Sequence, residues 1–247
     1  MYKRQRQDDV REFARMLTGW SVGRADQPRV GQFVYAENFH EPGAKTLLGE
    51  RYEEAGKAEV ERALDALSRH PSTARHIATK LARHFIADKP PPEAVDGLAQ
   101  AYLDSGGDLG HLARAVVGMD AAWQPLAKVK TPGEFVVSAF RSIGVAPEDR
   151  PLLIALRLLD HVPFSAPSPA GWPDTAAAWT GPEALMRRAE WATALAARVS
   201  RGVHPETFLD GAVGPLAGGD LRRAVGRAPS TADAMALVLA SPTFQRR

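Results

Sequence analysis

The chain has 247 residues, 45% hydrophobic and 24% charged, with a formal net charge of +2. That composition belongs to a folded protein in one large or two small domains, long enough to bury a real core, and excludes disorder of the whole chain. The absence of cysteine excludes disulfides, thiol catalysis and thiolate metal sites, and the scattered basic pairs Arg187-Arg188, Arg222-Arg223 and Arg246-Arg247 give no concentrated basic face for nucleic acid.

Met1-Tyr2-Lys3-Arg4-Gln5 is what the end of a transposase sequencing adapter encodes when GTG serves as the start codon. These five residues read as an assembly scar, with a genuine basic N-terminus as the alternative. On the first reading the native chain continues upstream, and a signal peptide, absent from the visible start, would be lost with it.

Asp8-Asp9 then open a helix through Val10, Phe13, Ala14, Met16 and Leu17, which ends at Gly19-Trp20. Residues 21–31, rich in Gly, Pro and charge, read as a loop. Gln32-Phe33-Val34-Tyr35 and the run Ala44-Lys45-Thr46-Leu47-Leu48 flank Pro42-Gly43, so one small β-hairpin is expected near residues 32–48.

From there the spacing is helical. Val60, Leu64 and Leu67 recur within residues 55–69. His70-Pro71-Ser72-Thr73 ends that helix and starts another, with Ala74, Ile77, Ala78, Leu81 and Phe85 on one face. Lys89-Pro90-Pro91-Pro92 is a stiff connector, and Gly106-Gly107 a helix stop. Further helices are expected near 92–104, 108–118, 133–143 and 148–160. Residues 161–180 carry five Pro or Gly punctuators and read as a long irregular loop, the kind often used for function. Pro182 opens a helix to about Arg201, and shorter ones follow near 205–210, 219–225 and 230–240. An internal echo links Ala115–Trp123 to Ala236–Phe244, each an apolar helix end followed by an aromatic residue. The fold class expected is mainly α, a multi-helix orthogonal bundle with one small hairpin. No apolar run approaches the ~20 residues of a membrane span.

The best concentration of reactive types is His40, Glu41 and Lys45. A hairpin tip presenting imidazole, carboxylate and amine suits proton transfer or a polar ligand; in the blander reading Glu41 and Lys45 pair across the turn and His40 serves backbone groups. Trp172 and Asp174, with Trp179 and Phe164 nearby, either line a groove for sugar or peptide, or plug the helical core with Asp174 capping a turn. His76, Lys80 and His84 share a helical stripe, but His76 and His84 stand two turns apart, about 12 Å, too far to hold one ion unaided. No His-Glu-x-x-His, Gly-x-Ser-x-Gly or phosphate-loop pattern occurs. No metal and no cofactor is expected.

Five stretches together resemble a bacterial family, the domain-of-unknown-function 1800 family: Asp9-Val10 with Ala14-Arg15-Met16-Leu17-Thr18-Gly19-Trp20; His40 to Gly49; His70-Pro71-Ser72-Thr73-Ala74-Arg75 with Lys80-Leu81 and Phe85; Gly171-Trp172-Pro173-Asp174 with Trp179, Leu185 and Arg188; and Ser241-Pro242-Thr243-Phe244-Gln245. Where the family pattern has His-Asp, this chain has His40-Glu41, a carboxylate of longer reach. The resemblance implies a longer parent, with residues 6–247 as the C-terminal part of one helical domain and its own N-terminal half missing. It also implies an exported bacterial protein encoded beside, and partnered by, the sulfatase-like domain-of-unknown-function 1501 family. The function expected is a non-catalytic helical scaffold or interaction module; the alternative is a hydrolase acting on an envelope or extracellular polymer.

Overall fold

The computed structural model describes residues 6–26, 29–124, 128–146 and 148–247; the five residues read as an assembly scar lie outside them. The chain runs α1 (Gln7–Met16), β1 (Trp20–Val22), β2 (Phe33–Tyr35), β3 (Lys45–Leu47), β4 (Glu50–Tyr52), α2 (Lys57–Ser68), α3 (Pro71–Phe85), α4 (Pro92–Asp104) and α5 (Leu109–Val117). It continues through α6 (Pro132–Ser142), α7 (Asp149–Leu158), α8 (Pro182–Val199), α9 (Pro205–Ala212), α10 (Gly219–Gly226) and α11 (Thr231–Ala240), with short 3-10 turns between. The protein is mainly α, as the apolar spacing predicts, and the helix ends fall close to those read from the sequence. Among the described residues no helix is long and apolar enough to cross a membrane.

The strands depart from the simple hairpin in their pairing. The runs 33–35 and 45–47 do not pair with each other: β2 pairs antiparallel with β1, Tyr35 opposite Trp20, and β3 pairs with β4, Lys45 opposite Tyr52. The reason lies in the turns. Leu48 and Gly49 both have positive φ, 52° and 87°, and close β3 onto β4 through a two-residue loop whose twist suits antiparallel strands. Residues 36–44 are too long a connection for that geometry and instead carry a 3-10 turn, Glu37–Phe39. Ser21 and Val22, read as loop, belong to β1.

The chain divides into two compact units. The first takes the chain through Ile77 together with Ala99–Leu112; the second takes Ala78–Leu98 and Ala113–Arg247. Helices α3, α4 and α5 each give residues to both.

In the first unit Met16, Leu47, Tyr52, Val60 and Ala63 form the core, with Phe13, Leu17, Trp20 and Leu67 packed against it. Each large side chain buried there contributes roughly 1.5–3 kcal/mol. The outer edge of β3 lies along α1, whose acids accept its free amides: Thr46 N–H donates to Glu12 Oε2 at 3.0 Å and Leu48 N–H to Asp9 Oδ1 at 2.8 Å. Residues three apart on a helix share a face, and amides two apart on a strand point the same way, so the two periodicities meet.

The second unit is built around α6, α7, α8, α9 and α11. Phe135, Val136, Ala139, Leu156, Leu209, Met235, Val238, Leu239 and Phe244 fill its core. Ala192 and Ala196, one turn apart on α8 and fully buried, let α11 approach closely. Thr131 and Glu134 cap α6 reciprocally, with Pro132 in the first turn. The C-terminal residues pair with the extended segment before α6 through an isolated antiparallel bridge, Val129 opposite Arg246: Lys130 N–H donates to the Gln245 carbonyl at 2.9 Å and Arg247 N–H to that of Lys128 at 2.9 Å. This pairing separates the two halves of the sequence echo. Phe244 is buried in the core, whereas Trp123 lies exposed with its indole N–H on the Val117 carbonyl.

Candidate functional site

In the first unit the loop before β3 folds His40, Glu41 and Lys45 together, and a fourth residue joins them. Glu59 enters from the first turn of α2, wholly buried. Lys45, likewise shut off from solvent, places its Nζ 2.7 Å from Glu59 Oε1, 2.7 Å from the Glu41 carbonyl and 3.1 Å from His40 Nε2. The Glu41 carbonyl and His40 hold the ammonium by hydrogen bonds, while Glu59 Oε1, buried without a hydrogen-bond partner, faces it as the counter-charge of an ion pair. Glu59 Oε2 accepts the Ala55 N–H at 3.1 Å, so this carboxylate also serves the start of its helix, where negative charge is favoured.

His40 completes the arrangement. Its Nδ1 lies 2.9 Å from the Thr18 carbonyl, which can only accept, so Nδ1 carries hydrogen. Nε2 faces both Lys45 Nζ and, at 3.2 Å, Glu59 Oε1; the neutral ring accepts from lysine there, and the protonated ring donates to glutamate. The ring leans on Tyr35, centroids 5.8 Å apart. The Tyr35 hydroxyl is buried without a partner, and burial, reinforced by Glu37, Glu59 and Glu54, pushes its pKa up. Gly19 is required at this point: its φ is +84°, and a Cβ would stand 2.8 Å from the Ala36 carbonyl and 3.1 Å from the Tyr35 ring.

Glu41 turns outward. Its side chain takes the Arg15 Nε–H at 2.7 Å and its backbone N–H donates to Thr18 Oγ1 at 2.7 Å. The Arg15 guanidinium also holds Glu12 at 2.6 Å, and this bond, with the Thr46 amide, keeps Glu12 below the usual carboxylate range. The pairing imagined between Glu41 and Lys45 therefore involves the glutamate's carbonyl, and the carboxylate opposite Lys45 is that of Glu59.

In the second unit Trp172 lies tilted at 46° against His161 with centroids 4.8 Å apart, and Trp179 meets the same imidazole edge-on at 5.3 Å. Trp179 is buried and donates its indole N–H to the Pro173 carbonyl at 3.1 Å. His161 rests on Gly133 at the start of α6, where a Cβ would come within 3.1 Å of Nδ1. Burial pushes the His161 pKa down, and the Arg188 charge adds to the fall against the pull of Glu134.

Asp174 fastens the long loop to α3: Lys80 Nζ is 2.5 Å from Oδ2 and Arg83 Nη1 3.5 Å from Oδ1. Burial alone would raise its pKa, but the Lys80 ammonium and the Arg83 guanidinium together hold it low. Alongside, Asp88 takes the Lys128 ammonium on one oxygen and the Ala176 N–H on the other, at 2.5 Å. These outweigh the burial that would push it up, so Asp88 too stays below its ordinary value. Lys128 also donates to the Asp174 carbonyl at 3.2 Å.

Among the described residues no group of three His, Asp or Glu side chains is placed to hold a metal ion. Glu59, Asp88 and Lys128 carry the two ionic clusters with the residues named from sequence, yet nothing local marks them. Glu59 precedes the buried Val60 in the first helical turn, which for a glutamate is ordinarily a solvated position.

What the two units define is a class: a mainly helical protein that uses buried charge to tie loops and short strands to its helices. The chain belongs to the family described as protein of unknown function (DUF1800), whose model matches residues 3–246. No curated protein and no solved structure matches it.

Proposed function

We propose that the chain is a non-catalytic helical interaction module of an exported bacterial system, the C-terminal part of a longer parent, with the sulfatase-like domain-of-unknown-function 1501 family as its partner. One observation carries the reading. The most reactive group of side chains is engaged with itself: Lys45 donates to the Glu41 carbonyl and His40 and faces the Glu59 carboxylate as an ion pair, His40 Nδ1 is on Thr18, and Glu41 is on Arg15. A general acid or base must reach the reacting atom or a water beside it, and for His40 and Lys45 that reach requires breaking buried contacts. Large apolar side chains, by contrast, stand free on the surface: Phe39 is 78% exposed and Phe164 fully so, features that suit a partner surface.

Residues 6–247 acting as one domain is part of the same proposal, since α3, α4 and α5 each run through both units; a single melting transition followed by two probes checks it. The partner is tested by co-expressing an intact relative with the sulfatase-like protein encoded beside it. Co-purification at micromolar concentration is expected, weakened by Phe39→Ser and Phe164→Ser. Absence of a complex at that concentration overturns the interaction role.

A further inference from the structure

Helix α7 is apolar on both of its sides. Ala155, Leu156 and Leu159 turn into the core of the second unit, and Leu152 packs against it. A helix lying on a core ordinarily shows water a charged face. Here Leu153, Ile154 and Leu158 are instead 47%, 48% and 56% exposed. With Arg150 and Arg157, both exposed, they fall at the i, i+3, i+4, i+7 and i+8 positions of one outward stripe. The neighbouring α6 repeats the pattern on a smaller scale: Val137 is half exposed, and Arg141, one turn on, is exposed as well.

The charges on this stripe are unanswered. Arg141, Arg150 and Arg157 make no hydrogen bond or ion pair among the described residues. Arg187, Arg222 and Arg223, on other helices of the same unit, each hold an acid. The acids nearest in sequence stand at the two ends of α7. Glu148 and Asp149 are exposed at its head, where the helix dipole favours them. Asp160, just past its end, is taken by Arg187. An apolar strip with free cations along it is complementary to an element that is apolar on one side and acidic beside that side.

We propose that the outward face of α7 docks an acidic amphipathic helix of a protein partner, the apolar side of that helix lying on Leu153, Ile154 and Leu158 and its carboxylates on Arg150 and Arg157. Anchors at i, i+3, i+4 and i+7 are the spacing by which one helix reads another, and carboxylates match the guanidinium fork. An anionic bilayer fits this face less well. Its continuous sheet of negative headgroups would also meet Glu148 and Asp149, whereas a helix can carry its acids opposite the arginines alone. The inference rests on the interaction role argued above and gives it a face, without depending on which protein supplies the helix.

The test uses the full chain and a fluorescent helical peptide with leucine at i, i+3, i+4 and i+7 and glutamate beside them. The same peptide with lysine in place of glutamate is the comparison. By fluorescence anisotropy the glutamate peptide should bind with a Kd on the order of 10 µM and the lysine peptide at least about tenfold more weakly. Leu153→Ser with Ile154→Ser should weaken the glutamate peptide about tenfold and leave the melting temperature nearly unchanged, because both side chains are exposed. Arg150→Glu with Arg157→Glu should reverse the preference between the peptides. Arg150→Gln with Arg157→Gln should abolish it, and serves if charge reversal unsettles the helix. Equal binding of the two peptides, or a preference unchanged in the glutamine variant, overturns the proposal. So does binding of phosphatidylglycerol vesicles without any peptide preference, or a dimer that disappears in the serine variant; these assign the face to lipid or to a second copy. If the glutamate peptide binds as expected but an intact relative does not co-purify with the sulfatase-like protein, the choice of partner fails and the face stands. A complex that forms and ignores every α7 variant removes the face alone.

Discussion

Both units bury a basic side chain almost completely, and they do so in opposite ways. Lys45 in the first unit meets a buried carboxylate, a carbonyl and an imidazole, so its charge is answered by a counter-charge. Arg188 in the second has two neutral acceptors, an aromatic face and an idle Nε–H. The lysine cluster is a closed knot in which each member depends on the others. The arginine is a charge kept in the core by neutral acceptors and an aromatic face alone. Burial of charge is thus answered by a counter-charge in one unit and by neutral acceptors alone in the other.

The sharpest way to break this comparison is Glu59→Ala. It strands the Lys45 ammonium in the core and should lower stability in urea titration by about 3–5 kcal/mol. The double variant Lys45→Met/Glu59→Leu should recover much of that, because removing both charges also removes their desolvation penalty. A double variant no more stable than Glu59→Ala would mean that the pair stabilises through more than mutual neutralisation.

Arg188→Met should cost less, about 1–3 kcal/mol. It leaves Gln245 and the Lys130 carbonyl without their donor but relieves an unneutralised charge. A loss as large as that for Glu59→Ala would erase the distinction between the two clusters.

Lys130 extends the contrast to pH. Its Nζ sits 4.1 Å from the Phe244 ring centroid. Burial pushes its pKa down to about 8, with Arg247 adding to the fall and Glu134 opposing, from an ordinary value of 10.5. Between those values the unfolded chain binds more protons than the folded one, so stability rises as pH climbs from about 8 to 10.5. The slope should be modest, because Lys130 is only half-buried, and should flatten in Lys130→Met. Melting temperatures across that range decide it; an unchanged slope in the variant would locate the titrating group elsewhere.

Thr131→Ala removes the Oγ1 that accepts the Glu134 N–H at the start of α6, and should lower stability by about 1 kcal/mol. The smallest effect expected is a control. Lys57 and Glu61 stand 2.8 Å apart, nearly the separation of Lys45 and Glu59, but about half exposed. Glu61→Gln should shift stability by only about 0.3–0.5 kcal/mol. The gap between this change and Glu59→Ala measures what burial does to one pair of charges.

The fold was legible wherever a local period carried it. Val60, Leu64 and Leu67, or Ala74, Ile77, Ala78 and Leu81, recur at helical spacing, and Pro71, Pro132 and Pro182 stand in first turns, so the helices could be placed along the chain. The site was legible by halves. His40, Glu41 and Lys45 were gathered because they are close in sequence, and they do meet. The partner that neutralises Lys45 comes from the next helix, Asp88 reaches Lys128 across 40 residues, and Lys80 reaches Asp174 across 94. Nothing in the spacing of those residues announces the contact. The strands show the same limit: β-like runs were visible, but their pairing was decided by two positive φ angles at Leu48 and Gly49.

By itself, then, the sequence determined a helix-rich body, the ends of its helices, its lack of thiol chemistry and its family, because apolar periodicity, caps and motif order are properties of neighbouring residues. Only the tertiary structure decided which charges are buried and whether they are answered. That depends on side chains brought together from distant segments into a medium where an unpaired charge is expensive, and no local pattern encodes who will stand opposite whom.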